Sequence, residues 1–473
     1  MATATGGEPM RSRRALGLFD IFCIGVNAIV GASIYAFPGR LAAGLGPASI
    51  LTFLVCGVLL ISVALCFAEC ASMFDSNGGP YVYAEAAFGS TVAFGVGWAC
   101  WATSVLSGGA VAAALGDYVG STQPLLASPA ARRMVGALVF VLLSGVNYLG
   151  VRPGATTTNV LTVAKLVPLL LLVAIGLWRV RWASLTPFAP LGFSAFGALT
   201  FKVLFAVQGF EVAPVPAGET RAPGRTVPLA IVAALLFSTV LYGLIQLVAI
   251  GTTPDLAQQL ARPIVAVGQH VFASAGGRGA RWGEQLFNLG AIVSMVGFLS
   301  GIALGTPRYL EALAAHGRLW PSLAAMHARF RTPHVAIVVT AVAVGLAILT
   351  LPFDRLVDLA NLAVLTQYVS TAVALLVLRR TRPEAARPVR LPGGPWIAVS
   401  AVLVSLVFAT QAAAPEALLY AVVVASGYGV YLVHLAARRR VRRPAGASSG
   451  EAGPAKGAKG GSAGGCPRSA GGL

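Results

Sequence analysis

The chain has 473 residues, 57% of them hydrophobic and only 11% charged, with a formal net charge of +18 and a mean hydropathy of +0.79. Soluble domains carry about 25% charged residues. The composition therefore excludes a soluble fold and points to an all-α integral membrane protein, with apolar runs of the ~20 residues that cross ~30 Å of hydrocarbon.

In chain order, residues 1–17 form a basic N-terminal arm with no cleavable signal. Twelve spans are predicted, at 18–38, 47–72, 91–117, 134–150, 158–178, 194–216, 227–250, 284–310, 334–352, 356–378, 395–413 and 417–437. The first contains "IVGASIYAFPG", where the weak helix formers Gly31, Ser33, Pro38 and Gly39 crowd together. The loop "DSNGGPYVYAEAAFG" after span two predicts a short helix lying at the cytoplasmic surface. The sixth span reads "FKVLFAVQGFEVAPVPAG" and is interrupted at Gly209, Pro214 and Pro216. The loop "HGRLWPSLAAMHARFRTP" after span eight is similar in kind to the one after span two. Residues 441–473 are a Gly/Ala/Ser-rich tail that cannot bury a core and is expected to be disordered.

With the N-terminus inside, the arm and cytoplasmic loops hold 15 basic residues, the external loops 9 and the tail 8. The charge thus reports orientation by the positive-inside rule, with both termini cytoplasmic. No nucleic-acid partner is expected, and contact of the tail with anionic membrane lipids is a secondary reading. Five of the six cysteines lie in spans, where Cys acts as a small apolar residue. Cys66 and Cys70 flank Glu69 but fall short of the three or four ligands of a zinc site, so no metal and no cofactor is expected.

Inside hydrocarbon each unpaired backbone group costs several kcal/mol, so a broken helix persists only where protein, water or ligand supplies partners. A break frees N–H groups, which favour a carboxylate, and C=O groups, which favour an ammonium. Two facing breaks make a site for a zwitterion without any charged side chain. Spans one and six are the two interrupted ones, and paired interruptions are the best sequence pointer to a transporter site. The other reading of Gly31, Ala32 and Ser33 is close helix packing; the matching break at Gly209 favours unwinding.

Lys165 lies seven residues after Thr158 in span five, about 10 Å along a helix. An ionisable group in a span is functional by default, and an ammonium taken out of water gives up its proton more readily. Lys165 is therefore the candidate for proton coupling, with a fixed structural cation as the alternative. Lys202 opens span six at the external side, where snorkelling accounts for it. Glu211 follows Gly209 closely and is read as a latch on freed backbone donors. Asp20 is read as a cap at the start of span one. Surface pairing or a closing gate are the readings for Glu219, Arg221 and Arg225.

Four long segments in matching order resemble the amino acid–polyamine–organocation family of permeases. "GVNAIVGASIYAFPG" is similar to the family's first-span signature. "GPASILTFLVCGVLLISVALCFAECASMFDSNGGPYVYAEAAFG" resembles its second span and following loop. "LFAVQGFEVAPVPAGETRAPGRTVPLAI" resembles the sixth-span signature, and "RYLEALAAHGRLWPSLAAMHARFRTP" the loop after span eight. The resemblance covers nearly all of residues 15–440. It implies two inverted five-helix repeats of the leucine-transporter type, at about 18–180 and 194–380, with helices eleven and twelve at about 395–437. It also implies alternating access around a central site. Carried over, the backbone of Gly31, Ala32 and Ser33 would hold a substrate carboxylate. Ile29, with the break around Ala206 and Gln208, would face its amino group. Phe205 matches an aromatic gate, with apolar packing as the alternative, and Pro38, Gly39, Gly209 and Glu211 would shape the breaks. Sodium-independent relatives carry a Lys matching Lys165, which implies a bridge from span five to span one. Two positions depart from the pattern, Ser33 for a Gly and Val207 for a Phe, and both bear on substrate choice.

No P-loop, metal-binding His pair or nucleophile elbow is present in the sequence, which argues against an enzyme. The expected function is secondary transport of amino acids or related amines across the cell inner (plasma) membrane. Proton symport, exchange and uniport stay open, as does a non-transporting nutrient sensor. The sequence leaves the oligomeric state open.

Overall fold

Backbone that cannot reach water must satisfy itself, and the apolar runs of this chain do so as helices. The computed structural model describes residues 16–442, apart from 77, 121–122, 127, 150–154 and 274–275. Most of the N-terminal arm, and the tail beyond Arg442, lie outside the described residues. Fifteen α-helices are described: α1 (Leu18–Ile29), α2 (Ser33–Leu45), α3 (Ile50–Met73), α4 (Pro80–Phe88), α5 (Ser90–Gly120), α6 (Pro129–Tyr148), α7 (Ala155–Gly176), α8 (Phe196–Val207), α9 (Pro223–Thr252), α10 (Pro263–Phe272), α11 (Gly276–Ala315), α12 (His334–Thr350), α13 (Phe353–Thr381), α14 (Gly394–Ala409) and α15 (Ala414–Arg442). No strand occurs among the described residues; Leu16 and Thr220 form an isolated bridge.

Eight helical segments are long and apolar enough to cross a membrane by length and composition, the first of them running through α2 and α3. The helices α1, α12 and α14 are apolar but shorter. One helix, α10, was not expected from the sequence. It starts at Pro263, a favoured first helical position, between the seventh and eighth predicted spans. The helix α11 begins at Gly276, eight residues before the predicted boundary.

Packing centres on α3 against α9 and α5 against α13. The short helix α4 forms in the loop where the sequence predicts one, and it buries one face. Tyr81, Tyr83 and Ala84 are buried, and α4 packs on α5 and α13. The Phe67 ring of α3 lies 5.8 Å from both Phe210 and Tyr368, edge-on, and Phe210 and Tyr368 stack at 5.4 Å. At one end of α3, the fully buried Glu69 accepts from Arg379 Nε at 2.7 Å, from Arg379 Nη2, and from the N–H of Leu391 at 3.0 Å. This carboxylate joins α3, α13 and the segment leading to α14. Asp20 accepts from the N–H of Gly17 at 2.7 Å, so it sits in the first turn of α1 rather than at the cap position itself.

Two interruptions place backbone in the middle of the bundle. The helix α1 ends at Ile29, Val30 turns extended with ψ 94°, and α2 begins at Ser33. The helix α8 ends at Val207, Gln208 is extended, and Gly209 takes φ +128° before a 3-10 turn at Phe210–Val212. The chain from there to Glu219 continues in turns and a second short 3-10 stretch. The expected helix-breaking role of Pro38 and Gly39 is overturned: both lie inside α2. A Cβ on Gly39 would come 2.3 Å from the Gln259 carbonyl oxygen, so Gly39 serves close packing against the loop after α9.

Two outcomes follow. Glu69→Ala strands the Arg379 guanidinium in the interior and should cost about 3–5 kcal/mol, read as a lowered unfolding midpoint in detergent; an unchanged midpoint would contradict the bridge. Gly209→Ala should destabilise by about 1–3 kcal/mol from its backbone conformation alone, and the added Cβ would also meet the Ala28 carbonyl carbon at 2.6 Å. Wild-type stability of that variant would show that the break can relax.

Candidate functional site

The two interruptions touch. A Cβ at Gly209 would lie 2.7 Å from the N of Ile29, so only glycine lets the two chains approach this closely. Together they line a cavity of about 910 Å³. The cavity opens where Glu219, Arg308, Arg329 and Arg331 are exposed. Its far end meets the buried Phe205, whose ring lies 6.4 Å from Phe37 and 6.5 Å from Phe353. Beyond these rings, Arg40 stacks over Phe353 at 5.0 Å and bonds Asp354 at 2.9 Å. Lys202 bonds Asp358 at 3.1 Å. Lys202 is thus part of an ion network, which its position at the start of span six did not reveal.

Backbone accounting distinguishes the two breaks. In the first, protein side chains take the carbonyls. Lys165 Nζ donates to Asn27 O at 2.9 Å and to Val30 O at 2.6 Å. The Tyr242 hydroxyl donates to Ile29 O at 3.2 Å, and Ser294 Oγ to Gly31 O at 3.3 Å. The N–H groups of Gly31, Ala32 and Ser33 have no backbone acceptor among the described residues. In the second break the pattern reverses. The Gly209 N–H donates to Glu211 Oε2 at 2.8 Å, an oxygen that also accepts from Tyr368 at 3.1 Å. The carbonyls of Phe205, Ala206 and Val207 receive no backbone N–H among the described residues. The first break presents spare donors and the second spare acceptors.

Of the residues singled out from the sequence, Ile29, Gly31, Ala32, Ser33, Phe205, Gln208, Gly209 and Glu211 all line the cavity. Ala206 does not line it, and its side chain is fully buried. The Ile29 carbonyl is already engaged by Tyr242, so the acceptors left for a cation lie on the α8 side. Ser33 is 2% exposed and its hydroxyl interacts with that of Tyr242. Lys165 is fully buried and joins α7 to α1. Tyr242, Ser294 and Tyr368 went unnoticed in the sequence. Each is a polar residue inside an apolar helix, which is the signal that would have found them.

A family model described as "Amino acid permease" matches residues 16–428. The chain is 29% identical over 422 residues to the branched-chain amino acid permease BcaP of Bacillus subtilis, covering 86% of this chain and 89% of that protein. It is 26% identical over 441 residues to the methylthioribose transporter of the same organism, covering 89% and 93%. It is also 26% identical over 390 residues to a mitochondrial cationic amino acid transporter of Arabidopsis thaliana, covering 78% of this chain and 63% of that one. The family and these relatives are transporters rather than enzymes. The chain, with its interrupted helices α1–α2 and α8 around a central cavity, belongs to the amino acid permease family.

Proposed function

We propose that this protein is a secondary active transporter that moves amino acids, or closely related amines, across the plasma membrane by alternating access. The observation that carries this reading is the complementary pair of breaks. Spare N–H groups at Gly31–Ser33 suit an α-carboxylate, and the spare carbonyl of Phe205, which lines the cavity, suits an α-ammonium. The repeats assigned to residues 18–180 and 194–380 would then each contribute one broken helix. With both termini cytoplasmic, the mouth at Arg329 and Arg331 faces inward, and the ring cluster of Phe37, Phe205 and Phe353 is the closed outer gate. Exchange in place of net uptake, and a sensor that binds without moving substrate, are the other readings.

Lys165 is the proposed coupling group. Its ammonium holds Asn27 and Val30 at the end of α1, so loss of its proton would weaken a tie between α7 and the first break. A protonation cycle at this position would change how the two elements move together.

Purified protein in proteoliposomes should accumulate, or exchange, a labelled amino acid; a ligand that stabilises the protein yet shows no flux would make it a sensor. Lys165→Ala should lose accumulation driven by an imposed pH gradient, while substrate counterflow without a gradient persists. Gradient-driven accumulation equal to wild type would remove the coupling role.

A further inference from the structure

The breaks explain how the invariant part of an amino acid is held, but not which side chain is accepted. The names of the similar proteins do not decide it, since they range over branched-chain amino acids, cationic amino acids, methylthioribose and serine or threonine. The cavity wall does. Gln208 follows directly on α8, is 6% exposed and lines the cavity. Its Nε2 donates to Ser107 Oγ of α5 at a long 3.5 Å, and its Oε1 has no partner. Amide orientation is assigned from the bonding network. Turned the other way, Oε1 would meet Ser107 and the NH2 group would be unpartnered. Either orientation leaves one polar end of a buried amide facing the cavity unmatched. Buried polar groups are normally paired, and one without a partner asks for an explanation.

The polar neighbours of Ser107 on α5, Thr103 and Ser104, are already engaged. Thr103 Oγ1 donates to Ala99 O at 2.8 Å and accepts from Gln367 at 2.8 Å. Ser104 Oγ donates to Cys100 O at 3.1 Å. Among the described residues, the only carboxylates lining the cavity are Glu211 and Glu219. Glu211 is tied to Gly209 and Tyr368, and Glu219 is exposed at the mouth. A cationic side chain would therefore find no free counter-ion beside Gln208.

Resting on the transporter reading above, we infer that Gln208 and Ser107 form a side-chain subsite for a small, uncharged polar amino acid, one carrying a hydroxyl or carboxamide. Such a group both donates and accepts, so it satisfies the spare end of Gln208 in either orientation. An alkyl group satisfies neither, and leaves the amide buried and unpaired. A site built to hydrogen-bond a substrate group discriminates against an analogue that lacks it.

Threonine and valine test this because they are nearly isosteric and differ by one hydroxyl. In proteoliposomes containing wild-type protein, both compete against uptake of labelled threonine, with lysine as a third competitor. Threonine should compete about tenfold more strongly than valine, the factor set by one net hydrogen bond, and lysine should compete weakly. In Gln208→Leu the threonine-to-valine ratio should fall to near one, and Ser107→Ala should lower it in the same direction. Valine or lysine matching or exceeding threonine in the wild type would overturn the inference while leaving the transporter reading intact. An unchanged ratio in a folded Gln208→Leu protein would also overturn it. If the Leu variant does not fold, the wild-type ratio and the Ser107→Ala ratio decide. If labelled alanine, leucine, lysine and threonine all fail to enter or exchange, the transporter reading itself falls.

Discussion

The whole structure turns on one constraint: main-chain groups released in the interior of a membrane protein must find partners. Here the release is not symmetric. Four carbonyls around the first break are taken by Lys165, Tyr242 and Ser294, three side chains from three other helices. That leaves its N–H groups as the unmatched part. At the second break Glu211 takes the Gly209 N–H, and the unmatched part is carbonyl. Side chains thus complete each break on one polarity and leave the other polarity unmatched. The result is an electrostatic orientation that composition alone would not reveal.

The same side chains also tie the breaks to the neighbouring helices. Glu211 bonds Tyr368, which stacks on Phe210, which meets Phe67 of α3 edge-on. A movement of the second break is therefore coupled through aromatic packing to α3 and α13. Lys165 performs the equivalent task for the first break from α7. On the far side, the rings of Phe37, Phe205 and Phe353 lie beneath the Arg40–Asp354 and Lys202–Asp358 pairs. The Arg40–Asp354 pair is the more exposed of the two, and surface pairs of this kind contribute little to stability, about 0–1 kcal/mol.

Much of this was legible in the sequence, for physical reasons that differ by element. The breaks were legible because Gly31, Gly209 and the nearby prolines are poor helix formers in runs that otherwise propagate. Lys165 was legible because an ionisable group in an apolar span is costly. Pro38 and Gly39 misled, because α2 starts only at Ser33 and carries both inside it, and tertiary packing holds the helix despite the cost of an interior proline. Pairings were not legible. Glu69 and Arg379 are 310 positions apart, and Lys202 and Asp358 are 156 apart, and one sequence carries no sign of which charges meet. The short apolar α10 was hidden for another reason: its 10 residues fall below the length at which a span or a helix stands out from a loop.

The central claim is that main-chain groups of the two breaks hold both charged ends of one α-amino acid. Calorimetric titration of the purified protein with a bound amino acid, its decarboxylated amine and its deaminated acid tests it most directly. The account predicts that each truncated analogue loses at least tenfold in affinity, since each leaves one break unmatched. Full affinity for either analogue would contradict it.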